Sequence, residues 1–146
     1  MASLDRSGWL GLLATAPHAR LIGLAEGAGV AVPHEVLRAP EIGTVMLRGR
    51  SGGTGAAFNL GEITVTRAAV RLPEGPVGHG HVQGRSHRAA LVAALIDALM
   101  QTPRGAGLAE TVLAPLARER DAQRSERAAR AAATKVDFFT LVRGED

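Results

Sequence analysis

The chain has 146 residues, the length of one domain at roughly 100–200 residues per domain, and a chain of this size buries about 68–70% of its unfolded surface without staples. It contains no cysteine, which excludes a disulfide scaffold, a thiolate zinc site, an iron–sulfur cluster ligated by this chain and a cysteine nucleophile. Sixteen arginines and one lysine stand against 14 acids, a formal charge of +3. That field is too weak to point to nucleic acid, and Trp9, Phe58, Phe138 and Phe139, with no tyrosine, are too few for a base-stacking platform.

In chain order, Leu10, Leu13, Leu21, Ile22 and Leu24 recur at helical spacing, interrupted by Pro17, and predict two short helices ending near Gly27 or Gly29. The period then changes. Val32 to Arg38 and Thr44 to Arg48 read as strands, with a turn at Ala39-Pro40-Glu41-Ile42-Gly43. Ser51-Gly52-Gly53-Thr54-Gly55 is a second break. Phe58 to Leu60 and Ile63 to Leu72 resume the strand pattern, Pro73 to Pro76 turns, and Val77 to Gln83 is a last strand. With no helix between them these strands must pair antiparallel, since a parallel crossover needs a dozen or more residues. The expectation is an α+β domain, a β-meander flanked by helices.

Ser86 is placed to cap a helix reaching about Gln101, whose stretch from Ala89 to Met100 carries one charge, Asp97. Such a helix is covered on more than one side, by its own core or by another chain. Leu108 to Leu116 is apolar and interrupted by Pro115. Residues 117–135 are rich in Arg, Glu and Ala and helical, with Glu126 and Arg130 as an i,i+4 pair. Val136 to Val142 is apolar again. Residues 117–146 are expected to form a partner-docking arm of the single domain 1–146, with Phe138, Phe139, Leu141 and also Asp97 as docking residues.

Two places suit an anion. Gly52-Gly53-Thr54-Gly55, preceded by Arg48 and Arg50, can form a nest of amides that includes Gly53, or simply a hairpin turn. Gln83-Gly84-Arg85-Ser86 joins a strand to a helix N-terminus, where free amides and the Arg85 fork suit phosphate. His79 and His81 share one side of a strand, with His87 nearby, and are weak metal candidates because a third ligand cannot be located. Glu35, Glu41, Glu62 and Asp97 form no paired-carboxylate pattern. No apolar run reaches the roughly 18 residues of a membrane span, and no small-residue cleavage site follows the apolar run at Trp9 to Ala14, so a signal peptide is not expected.

Several motifs in one order carry a resemblance. Val36 to Gly43, Gly52 to Gly55, Phe58-Asn59-Leu60-Gly61-Glu62, Thr64 to Leu72, Val82-Gln83-Gly84-Arg85, Ala94 to Gln101 and Lys135 to Gly144 resemble the PhnG family, from about Trp9 to Gly144. His81 stands where relatives often have an aromatic, and Ala89 where they often have a histidine, which argues against catalytic roles there. The resemblance implies a subunit of the carbon–phosphorus lyase core complex, assembled two-fold with PhnH, PhnI and PhnJ. With PhnI, PhnH and PhnL the family takes part in joining methylphosphonate to the ATP ribose, giving alpha-D-ribose 1-methylphosphonate 5-triphosphate and adenine. It implies an accessory role in the cytoplasm. No cofactor is expected on this chain, ATP being a substrate of the assembly, and no catalytic residue carries over. The alternatives left open by the residues are a stand-alone metal enzyme using the histidines and a basic nucleic-acid-binding module.

Overall fold

The computed structural model describes residues 4–134. Two helices open it, α1 (Arg6–Thr15) and α2 (His18–Gly27). Asp5 caps α1 by accepting the Gly8 N–H at 2.7 Å. Pro17 stands between the helices, where its fixed φ and missing N–H end one and admit the next. Gly29, at φ +63, leads out of α2, and the Gly29 and Val30 amides return to the Glu26 and Ala25 carbonyls as a helix-ending motif.

A three-stranded antiparallel meander follows in the order β1 (Glu35–Arg50), β2 (Ala57–Arg71), β3 (Val77–Gln83). The α+β class and the antiparallel pairing agree with the sequence reading, but the strand count does not. The turn expected at 39–43 is absent, and β1 runs straight through it. Register shifts between Val36 and Arg38 and between Arg38 and Glu41 absorb the extra residues. Pro40 is tolerated because β1 is an edge strand, where a missing N–H need not cost a ladder bond. Likewise 58–60 and 63–72 merge into β2 across an irregularity at Leu60.

The helix after the sheet, α3 (His87–Met100), begins at Ser86, whose Oγ accepts the Ala89 N–H at 3.1 Å. Its residues from Ala93 to Leu99 are all buried, with the sheet on one side and α1 and α2 on another. Its apolar surface is therefore covered by its own chain. Contact with the sheet is unusually close. A Cβ at Gly78 would lie 2.0 Å from the Ala94 carbonyl oxygen, and one at Gly80 would lie 1.9 Å from that of Ala90. Two glycines at strand spacing thus meet alanines 90, 94 and 98, one helical turn apart, at nearly matching repeats of roughly 6–7 Å. This contact also fixes the sheet's orientation. Gly78, Gly80 and Val82 face the core with Ala68 and Val70, and the alternate residues face away.

The chain closes with α4 (Gly105–Leu108), a π turn (Ala109–Leu113) and α5 (Ala114–Ala133). Pro115 was expected to interrupt this stretch, yet the path stays helical. The Ala114 N–H bonds to the Ala109 carbonyl five residues back, and this wider turn makes room for the proline ring in the first turn of α5. Beyond Asp121 every described residue of α5 is exposed. Phe138, Phe139 and Leu141 lie outside the described residues.

Candidate functional site

Asp97 lies in the last turn of α3, inside the core and not at a docking surface as expected. Its side chain is fully buried. Oδ1 accepts from Arg6 Nε at 3.1 Å and Trp9 Nε1 at 2.9 Å, and Oδ2 accepts from Arg6 Nη2 at 2.8 Å and the His79 backbone N–H at 2.9 Å. Arg6 and Trp9 are three apart on α1 and so share a face. The carboxylate therefore ties α1, β3 and α3 together. The bond to Asp97 raises the Arg6 guanidinium above its ordinary range, against an opposing desolvation, and so keeps it charged. No buried side-chain nitrogen or oxygen among the described residues lacks a partner. Every acceptor site used on Asp97 faces this chain, so a partner cannot reach it.

The Gln83–Ser86 junction is knotted by internal bonds. Thr66, fully buried, donates its hydroxyl to the Gly84 carbonyl at 2.7 Å and accepts the Ser86 N–H at 3.0 Å. The Gln83 carbonyl accepts from His18 Nε2 at 2.7 Å, which places the proton on that nitrogen. Gly84, at φ +85, makes the turn that a side chain would strain. The amides of Ser86 and Ala89, two of the donors an anion would need, are consumed by Thr66 and by the Ser86 cap. Arg85 is exposed and has no ion-pair partner among the described residues.

The glycine loop is the turn of the β1–β2 hairpin. The Thr54 and Gly55 amides both return to the Ser51 carbonyl, and a Cβ at Gly55 would lie 2.8 Å from that oxygen. Arg50 Nη1 donates to the Gly55 carbonyl at 3.1 Å. These amides close the turn and do not converge outward on an anion. Gly53 also lies at the far tip of the hairpin from Gln83. Gln83 pairs with Val65, and the eight residues from there to Ala57 span roughly 25 Å. The two anion candidates are thus not brought together.

His79 and His81 do share the outer side of the sheet, beside Arg67 and Ala69. Among the described residues no group of three His, Asp or Glu side chains gathers there or elsewhere. Arg67 and Arg38 both reach Glu41, at 2.7 and 3.4 Å.

The feature that sequence reasoning missed is how far the β1–β2 hairpin reaches beyond the third strand. β3 covers β2 only from Val65 to Arg71, so residues 57–64 pair with β1 alone. Every exposed large apolar side chain among the described residues lies on these two strands: Val36, Leu37, Ile42, Met46, Leu47, Phe58 and Leu60. On the outer face, Val45 and Leu47 stand opposite Ile63 and Gly61, and the Phe58 ring lies over Gly49 with Leu60 beside it. Phe58 is 46% and Leu60 65% exposed, and contiguous exposed apolar side chains of this kind mark interaction surfaces. Strands of 16 and 15 residues against a third of seven leave about half the ribbon uncovered, an imbalance hidden in the sequence by the apparent turn at 39–43.

The chain matches the family model described as phosphonate metabolism protein PhnG over residues 4–144. It is 49% identical over 110 residues, covering 75% of this chain and 70% of the relative, to a Rhizobium meliloti (strain 1021) protein. That relative is named alpha-D-ribose 1-methylphosphonate 5-triphosphate synthase subunit PhnG. An internally satisfied core with an uncovered apolar ribbon is what a subunit presents before assembly, and with these matches the chain belongs to the PhnG family of phosphonate metabolism proteins.

Proposed function

We propose that this chain is an accessory subunit of an alpha-D-ribose 1-methylphosphonate 5-triphosphate synthase, built to dock rather than to catalyse. The observation that carries this reading is the β1–β2 ribbon, whose outer face offers Leu47, Phe58 and Leu60 to solvent. A two-stranded ribbon is marginally stable by itself, and a long apolar edge strand left open invites aggregation. Both difficulties vanish if another subunit covers the ribbon. The partners are PhnI-, PhnH- and PhnJ-like subunits, with a PhnL-like protein in the synthase step. The assembly joins methylphosphonate to C1 of the ATP ribose and releases adenine. This chain holds no cofactor of its own in that scheme and works in the cytoplasm. Among the described residues no helix is long and apolar enough to cross a membrane.

The test replaces Phe58→Ser and Leu60→Ser together and co-expresses the chain with its partner subunits. Neither residue belongs to the core, so the melting temperature of the chain should hold while co-purification is lost. Undiminished co-purification of the double variant would refute docking through the ribbon.

A further inference from the structure

A cleft of about 330 Å³ lies between the α1–α2 turn and α5, within the size range of small-molecule sites. Its floor is apolar, from α1 and Leu116, and its wall carries Arg120, Arg124 and Arg127 with Gln83 and Gln123. The three arginines are spaced i, i+4 and i+7, so they stand on one face of α5 with successive ones within roughly 6 Å along the helix. Like charges at that spacing destabilise a helix unless something neutralises them.

The described chain does so only in part. The one carboxylate lining the cleft, Glu119, is taken by Arg20 at 2.8 Å. Arg120 reaches only its neighbour Asp121, at 3.4 Å. Arg124 and Arg127 have no ion-pair partner among the described residues. The arginines elsewhere on α5 differ: Arg130 pairs with Glu126, and Arg118 donates to the Ala114 carbonyl. Guanidinium forks converging on a partly enclosed, apolar-floored cleft suit oxygens grouped on adjacent phosphates. The two glutamines add neutral donors at its edge.

We propose that this cleft binds a small ligand carrying clustered phosphate groups, through Arg120, Arg124 and Arg127. The site is separate from the ribbon, no residue of β1 or β2 lining it. Clustered phosphates could come from a nucleoside triphosphate or from a free polyphosphate, and the experiment separates them. Binding of tripolyphosphate, ATP and orthophosphate to the full chain is measured by calorimetry at low and at physiological salt. Tripolyphosphate and ATP should both bind more tightly than orthophosphate, and more weakly as salt rises. Equal affinity for the two marks a site that reads the phosphate chain alone, and tighter ATP binding marks a nucleotide site. Replacing Arg124→Gln and Arg127→Gln together should weaken tripolyphosphate by roughly tenfold or more per arginine. Arg118→Gln, on another face of α5, should leave binding unchanged. No measurable tripolyphosphate binding, or binding indifferent to the double replacement, overturns the proposal.

Discussion

At the residue scale the structure turns on a single buried carboxylate. Asp97 is the only charged residue in the core among the described residues, and its four donors come from α1 and β3. Without the carboxylate the Trp9 indole N–H and the His79 N–H lose their acceptor, while Arg6 stays half exposed, a cost of about 2–6 kcal/mol at roughly 1–3 kcal/mol per stranded donor. Asp97→Ala should therefore lower stability by about that amount in chemical denaturation. Trp9→Phe, which keeps the ring but removes one donor to the carboxylate, should cost about 1.5–3 kcal/mol. A near-neutral Asp97→Ala would mean that the α1–α3 tie is dispensable. The Ser86 cap was legible in the sequence because capping is local, its partner Ala89 being three residues on. The Asp97 site was not, because Arg6 lies 91 residues away and no spacing rule reaches across the fold.

At the element scale the close seating of α3 on β3 follows from two glycines. Gly80→Ala would push a methyl group into the Ala90 carbonyl, and forcing extra volume into a packed interior costs about 1–3 kcal/mol. A lowered melting temperature is expected. A neutral substitution would show that the helix can shift outward freely. The glycines and the run of alanines were visible in the sequence, but their meeting depended on strand register, which the sequence left open. The same limit explains β1. Turn chemistry at Ala39-Pro40-Glu41 suggested a break, but an edge strand accepts both the proline and the bulges around it. By contrast, the two N-terminal helices, the hairpin loop and β3 were set by local punctuation at Pro17, Gly52 to Gly55 and Pro73 to Pro76, and stand where that punctuation places them.

On the scale of the whole molecule, the described residues divide their apolar side chains between a closed core and an open ribbon. The core uses α1, α2, α3 and the inner side of the sheet. The ribbon extends past β3 with its outer side uncovered. The sequence left α3 to be covered by its own core or by another chain, and the structure buries it within its own domain. The expected docking segment with Phe138 and Phe139 lies outside the described residues, among which the open apolar surface is on β1 and β2. No group of three metal-ligating side chains accompanies that surface among the described residues. On the proposed accessory role the purified chain alone should release no adenine from ATP, and sustained release by it would overturn that role.

The most direct measurement is adenine release from ATP and methylphosphonate by the partner subunits reconstituted with wild-type chain, with the Phe58→Ser and Leu60→Ser double variant, or with no chain. The account predicts full activity only with the wild type, and equal, strongly reduced activity in the other two. Activity with the double variant that matches the wild type, or activity that does not need the chain, would contradict it.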